Sequence, residues 1–455
     1  MVKKNLTQEL LNDAARRGGR YLESLGKRRV GPQAQAVERL KQLETPLQDG
    51  ALDPAAVLAE LDEIGSPATV ASAGGRYFGF VIGGSLPAAL AANVLAAAWD
   101  QNAGLEIASP AAAAFEAAAM RWMVDLLGLP MGTGAGFVTG ATMANFTGLA
   151  AARHALLEGV GWDVEADGLF GAPPLTVIVG DEVHVSVLKA LSMLGLGRNR
   201  LVRVPVDGQG RMQAEALPTI SGPAIVCLQA GNVNSGAFDP AEEVCAAAHD
   251  AGAWVHVDGA FGLWALVSPE LRRLAAGVPD ADSWAVDAHK WLNVPYDSGI
   301  AFIRRPEILQ SAMMASAAYL VEDEMRQPFH YTPEFSRRAR GIEVWAALRS
   351  LGRAGIVDLV ERTCRLARRF AEGLTRAGFE VHNEVCLNQV LVSFGSAEET
   401  RRVIAALQAD GTCWCGGTVW QGHTAMRISV SSWATTEADV DASLGAIIRI
   451  AGRQQ

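Results

Sequence analysis

The sequence predicts an α/β fold: a mostly parallel sheet covered by helices on both faces, followed by a smaller α+β C-terminal block. Three observations carry that expectation. Between about residues 75 and 310, short β-branched runs alternate with Ala/Leu-rich stretches of helical length. The runs Leu175-Thr-Val-Ile-Val, Ala224-Ile-Val-Cys-Leu, Trp254-Val-His-Val and Gly299-Ile-Ala-Phe-Ile are mainly apolar segments, as strands buried on both faces read. Beyond about residue 350 the texture changes to a long amphipathic helix followed by strands that flank another helix.

The elements follow in chain order. Residues 1 to about 70 read as helices joined by polar turns, with Pro32, Pro46, Pro54 and Pro67 as punctuation. Leu86 to Trp99 and Ala111 to Met120 are Ala-rich and shorter than the roughly 20 residues a bilayer span needs, and are expected to be buried helices. The four strands come next. Gly341 to Ala377 is one amphipathic helical stretch, interrupted near Gly352 and Gly355. Val390-Leu-Val-Ser-Phe, the helix Ala397 to Ala409, Thr418-Val-Trp and Met426-Arg-Ile-Ser-Val complete the C-terminal block.

Composition narrows the function classes. At 455 residues the chain exceeds what one core usually serves, so more than one domain is expected. A net charge of −10 with no basic stripe argues against nucleic acid or an anionic membrane as partner. The N-terminus lacks the apolar core of a signal peptide. The six cysteines form no Cys-x-x-Cys pair and have no histidine at zinc-ligand spacing. Reduced structural thiols in a cytoplasmic protein are expected, and no metal.

In a parallel sheet the ligand sits beyond the carboxyl ends of the strands, so the polar residues there are the candidates. Val138-Thr-Gly-Ala-Thr-Met-Ala-Asn opens a helix with small residues. Its free N–H groups, with Ala141 and Thr142 as donors, make either an anion site or a simple ligand-free helix start. The upstream Gly132-Thr-Gly-Ala-Gly136 lacks the G-x-G-x-x-G spacing of a dinucleotide fingerprint. Asp258 ends a buried apolar run before Gly259. There it either meets a cation, such as a pyridinium nitrogen, or closes a hydrogen-bonded turn. Lys290, in Asp287-Ala-His-Lys-Trp-Leu, is poorly placed for solvent; it is a nucleophile for an aldehyde or one more surface lysine. His184, in Asp181-Glu-Val-His-Val-Ser, either stacks on a flat ligand or caps the next helix.

Taken in order, the turn at 138–145, His184, Asp258-x-Ala260 and Asp287-x-His289-Lys290 resemble the group II amino-acid decarboxylases that depend on pyridoxal phosphate (PLP). That family includes aromatic-L-amino-acid, glutamate and tyrosine decarboxylases, and sphingosine-phosphate lyase is a relative. The likeness runs over nearly the whole chain. Arg76-Tyr-Phe-Gly-Phe80 with Pro87, and Ser109-Pro110 followed by Glu116, look like the family's substrate-side segments. Gly231-Asn-Val-Asn-Ser-Gly-Ala-Phe-Asp239 resembles its G-T-T-x-x-G-x-F-D stretch, and Ser336-Arg-Arg-Ala-Arg340 with Trp345 its entry to the small domain.

The resemblance implies a type I (aspartate aminotransferase-like) fold and a homodimer with its active site at the interface. Residues 1–73 would wrap the partner subunit, 74–345 form the large PLP domain and 346–455 the small domain. Lys290 would carry PLP as a Schiff base, with Asp258 on the pyridinium nitrogen and His184 on the ring. Ala141 and Thr142 would hold the phosphate, and Asn232, Ala260, Asp287 and His289 would complete the cofactor shell. Tyr331 would deliver the proton, with Tyr319 and His330 as rivals, and Phe80 and Arg427 would meet substrate; Arg427 is equally readable as a small-domain salt bridge. The chain departs from the family's pattern at Asp287, where asparagine is common, at Asn232 and Asn234, which replace threonines, and in a shorter loop before Tyr331. The implied activity is decarboxylation of an L-amino acid. Tyr77, Phe78, Phe80 and Trp99 favour an aromatic substrate, against which Arg76 counts. An aldehyde synthase, carbon–carbon lyase or aminotransferase on the same scaffold, and a non-catalytic PLP-binding protein, are the alternatives.

Overall fold

A computed structural model of the chain describes residues 2–314 and 326–452. Its large sheet has seven strands: β1 (Gly134–Val138), β2 (Thr176–Gly180), β3 (Val202–Val204), β4 (Ala224–Gln229), β5 (Trp254–Asp258), β6 (Ser283–Asp287) and β7 (Gly299–Ile303). They lie in the order β1-β7-β6-β5-β4-β2-β3, all pointing one way except β7, which is antiparallel to both its neighbours. Every residue of β1, β4, β5, β6 and β7 is buried, the pattern of strands covered on both faces. The carboxyl ends of β1, β2, β4, β5 and β6 therefore share one edge.

Three strands of this sheet, β1, β3 and β6, are absent from the sequence reading. β1 carries Gly134 and Gly136, because Tyr331 and Pro306 press on its backbone where side chains would stand. β6, Ser-Trp-Ala-Val-Asp, is short and polar at both ends, so it shows little periodicity. Between Asp258 and β6 the chain makes three 3₁₀ turns, Gly262–Val267, Arg272–Ala275 and Val278–Asp280, rather than a full helix.

A second, antiparallel sheet is built from β8 (Glu380–Val381), β9 (Gln389–Ser393), β10 (Gly416–Trp420) and β11 (His423–Ser429) in the order β10-β11-β9-β8. The helices Ala397–Asp410 and Glu437–Ala451 cover it, and each starts with a capping box, Ser396/Glu399 and Thr436/Asp439. The helix Gly341–Arg376 joins the two cores and breaks at Gly352, which adopts φ 59°. Its residues up to Cys364 pack into the large-sheet core, and those from Leu366 onward into the small one.

The helix Pro87–Trp99 corrects the expectation of a buried element. Only Ala89 and Ala96 are buried, while Val94, Leu95 and Trp99 are 56%, 53% and 44% exposed. Its alanine side meets the core and its larger residues face outward, so the isolated chain leaves an apolar face bare. Among the described residues no helix is long and apolar enough to cross a membrane.

The arginines of Ser336–Arg340 tie this architecture together. Arg337 meets Glu116 at 2.7 Å, Arg338 meets Glu343 at 2.7 Å and Arg340 meets Asp297 at 2.9 Å. Asp297 lies in the loop after Lys290, so the last pair anchors that loop.

Candidate active site

Four strand ends converge on one crevice. Asp287, the last residue of β6, is 2% exposed. It meets Lys290 Nζ at 2.9 Å, lies 3.5 Å from His289 Nε2 and accepts the Ala141 N–H at 2.6 Å. That last bond places an anion on the first turn of the helix Ala141–Glu158, where the end of the dipole favours it. The helix has Gly140 at its N-cap with no side-chain cap, and His289 packs against Gly140. Gly83 lies so close to the Lys290 carbonyl that any side chain there would collide, which brings the Arg76–Phe80 segment's continuation against the lysine loop. His289 also stacks on Tyr296, with ring centroids 4.2 Å apart.

Asp258 ends β5 beside β6 and is 4% exposed. Among the described residues it accepts from neutral donors alone: Asn145 Nδ2 at 3.1 Å, Ser186 Oγ at 3.2 Å and its own turn's Ala260 N–H at 3.2 Å. Ala260 in turn accepts the Asp287 N–H at 2.8 Å, linking the two carboxylate-bearing strand ends. His184 follows β2 and caps the helix Val185–Met193, its Nδ1 accepting the Ser186 N–H at 3.2 Å. Nδ1 also lies 2.7 Å from Ser186 Oγ, while Nε2 has no partner among the described residues, so capping and presenting a ring are compatible. Burial holds the His184 and His289 imidazoles below their ordinary pKa, Asp258 and Asp287 respectively opposing the shift.

The other expected residues divide. Asn232 is buried in its own loop, where its Oδ1 accepts the Asn234 N–H at 2.8 Å and its Nδ2 has no partner among the described residues. Arg427 is half-buried without a carboxylate partner among the described residues; its contacts are the Val233 carbonyl at 3.3 Å and Asn234 Oδ1 at 3.4 Å. Desolvation lowers its pKa, and its charge reaches His184. No salt bridge of the small domain accounts for it. Phe80 is 60% exposed, in a left-handed conformation at φ 53°, and stacks on Trp414 at 5.9 Å. Tyr77 stacks on Trp414 at 5.1 Å, but Phe78 is fully buried against Phe370, so core packing and not a pocket explains it.

Tyr331 is not among the residues that meet around Lys290. It is 9% exposed in the core beneath β1, with the Arg326 guanidinium 4.3 Å from its ring centroid. His330 contacts Gln310 and Phe329 instead. Tyr319 lies outside the described residues. Asn145, Ser186, His256 and Ser283 escaped the sequence reading, although His256 and Asp258 are two polar residues at strand spacing in an otherwise apolar run.

These residues fit PLP by their chemistry. Lys290 offers an amine for its aldehyde, and Asp258 is a buried anion that lacks a cation. At the helix start Gly140–Thr142 the Asp287 carboxylate already takes the Ala141 N–H, which corrects the expectation of Ala141 as a phosphate donor; Thr142 and the N–H groups after Ala141 are what the turn offers a phosphate. Similarity to known proteins points the same way. The pyridoxal-dependent decarboxylase conserved domain matches residues 38–395. An aromatic-L-amino-acid decarboxylase of Bacillus atrophaeus is 30% identical over 298 residues, 63% of this chain and 58% of the relative. An acidic amino acid decarboxylase of Mus musculus is 28% identical over 344 residues, 71% of this chain and 62% of the relative. The chain thus spans about three fifths of these curated relatives' length. A crystal structure of the Oryza sativa enzyme TDC with PLP and tryptamine superposes with a TM-score of 0.91 over 98% of both chains, at 23% identity, which speaks for the fold. With the matched domain covering most of its length, the chain belongs to the pyridoxal-dependent decarboxylase family.

Proposed function

We propose that this protein decarboxylates an L-amino acid, releasing CO₂ and the corresponding amine, with PLP attached at Lys290. The observation that carries the reading is the convergence of Lys290, Asp287, His289, His184 and Asp258 on one crevice at the strand ends. When bound, PLP supplies an electron-accepting ring for the pair released as the Cα–carboxylate bond breaks. The chain's residues do the rest. Asp258 holds the ring nitrogen's proton, and His184 covers the ring face with its neutral imidazole. Thr142 and the first turn of the helix Ala141–Glu158 take the phosphate. Asp287 sets the Lys290 amine, and His289 lies beside it as a local proton carrier.

An aromatic substrate is supported by the exposed Phe80 on its Trp414 stack. One observation favours a second reading. Arg427 is half-buried within electrostatic reach of His184, with no carboxylate partner among the described residues, which suits a substrate bearing a second acidic group. A homodimer is supported by the bare apolar face at Val94, Leu95, Trp99 and Ile107, and by the exposed leucines of the N-terminal helices. On this reading residues 1–73 form the arm that wraps the partner, ahead of the large domain 74–345 and the small domain 346–455. A cytoplasmic setting is supported by six unpaired cysteines.

The test is borohydride reduction of the PLP-loaded protein followed by peptide mass spectrometry, then a screen of amino acids for CO₂ release with product analysis. Label at Lys290 and amine as product are expected. CO₂ release with aldehyde and hydrogen peroxide would move the assignment to an aldehyde synthase, and release from no amino acid would overturn it.

A further inference from the structure

Behind Asp258 lies a chain of buried polar side chains to which the proposed chemistry assigns no task. Trp254, His256 and Asp258 alternate along β5 and so share the face covered by the helix Ala141–Glu158. In the parallel pairing, His256 lies opposite Ser283 at the start of β6. Trp254 Nε1 donates to Ser283 Oγ at 2.8 Å, and Ser283 Oγ lies 2.8 Å from His256 Nδ1. His256 Nε2 lies 2.9 Å from Asn145 Oδ1, and Asn145 Nδ2 reaches Asp258 Oδ2 at 3.1 Å. All five side chains are at most 4% exposed.

The proton positions are forced from both ends. An indole N–H can only donate and a carboxylate can only accept. Asn145 must therefore turn its amide nitrogen toward Asp258 and its oxygen toward His256. His256 then carries its proton on Nε2, and its bare Nδ1 takes the Ser283 hydroxyl hydrogen. A doubly protonated ring would point an N–H at the Ser283 oxygen and strand that hydroxyl's own hydrogen. Gly148 supports the arrangement: an added Cβ there would stand 2.8 Å from His256 Cε1 and 2.9 Å from Nδ1, so the helix closes directly onto the imidazole.

We propose that this one-way relay, Trp254 to Ser283 to His256 to Asn145, positions the Asp258 carboxylate and maintains a donor on it, making His256 and Asn145 positioning residues for the cofactor. The proposal rests on the reading of Asp258 as the partner of the PLP ring nitrogen. Asn145 is the only member that touches Asp258; Ser283 acts two side chains behind it. A network that merely stabilised the fold would lower melting temperature without changing PLP affinity.

The experiment uses the full chain, first without cofactor and then titrated with PLP. In the cofactor-free protein labelled with ¹⁵N-histidine, His256 is expected to show a protonated Nε2 and an unprotonated Nδ1. Asn145→Ala deletes a hydrogen bond to a charged group and is expected to weaken PLP binding about tenfold to a hundredfold. The smaller change Ser283→Ala is expected to weaken it by about threefold to tenfold, and serves if Asn145→Ala does not fold. A proton on Nδ1, or folded variants whose PLP dissociation constants stay within about twofold of the parent, overturns the relay. A parent chain that binds no PLP overturns the reading of the site, and the relay's purpose with it.

Discussion

Replacing Glu116 with alanine should destabilise the large-sheet core by about 3–5 kcal/mol, the cost of leaving one partner of a buried ion pair uncompensated. Glu116 and the Arg337 side chain are each 1% exposed and meet at 2.7 Å. Arg326, 21% exposed, touches the other carboxylate oxygen at 3.2 Å. Among the described residues the bond to Glu116 is the only side-chain hydrogen bond of Arg337, whose Nε and Nη1 have no partner there. Without Glu116 its guanidinium would be a buried cation with no acceptor, a larger loss than an exposed pair's ~1 kcal/mol. The double variant Glu116→Leu/Arg337→Met should recover most of the loss, because it removes both fully buried charges and leaves only the part-exposed Arg326, which keeps the Ala135 carbonyl at 2.6 Å. The assay is urea unfolding of parent, single and double variants at fixed protein and PLP concentration, since bound ligand and self-association both shift apparent stability. A loss below about 1 kcal/mol in Glu116→Ala, or a double variant no better than the single, would refute the reasoning.

Three further outcomes are expected. Gly148→Ala, a change that usually stabilises a helix interior by about 1 kcal/mol, should lower the melting temperature here because its Cβ meets the His256 ring; a higher melting temperature would show that the ring can yield. Burial lowers His256 to about 4 and raises Asp239 to about 6, each worth about 3 kcal/mol with opposite signs. The unfolded chain takes up the His256 proton first, so that contribution is lost as pH falls from about 6.5 to 4, whereas the Asp239 penalty is relieved as pH falls from about 6 to 4. Asp239→Asn should therefore steepen the loss of stability on acidification, and an unchanged slope in unfolding measured at several pH values would exclude this balance. Arg427→Leu should raise KM at least about tenfold for an acidic substrate while changing an aromatic one by less than about threefold; equal effects on both would remove Arg427 as a selector.

Much of the scaffold was legible because buried parallel strands advertise themselves. β2, β4, β5 and β7 read as mainly apolar runs, and three of the four C-terminal strands and the kinked helix at Gly352 followed from periodicity and glycine. β1 and β6 did not, because close backbone approach selects glycine in one and the site itself places polar residues at the ends of the other. The helix Pro87–Trp99 misled for a different cause: alanine enrichment marks close packing but does not say against what.

Among the site residues, Asp258 and His184 stood out because each is a polar residue where an apolar run ends, a position that carries meaning in any sheet of this class, whereas Asp287 and the weight given to Lys290 came from the resemblance of Asp287-x-His289-Lys290. Sequence alone thus determined the fold class, the family and the identity of the polar groups at the strand ends. Only the tertiary structure decided how those groups are paired. Asp287 caps the helix that begins 146 positions earlier in the chain, and Asn145 reaches Asp258 across 113. It also showed Arg427 without a counter-ion among the described residues and Tyr331 committed to core packing. The physical reason is that strand and helix signals are local, summed over neighbouring residues. A hydrogen-bond partner, or the lack of one, depends on which distant surfaces the sheet brings into contact.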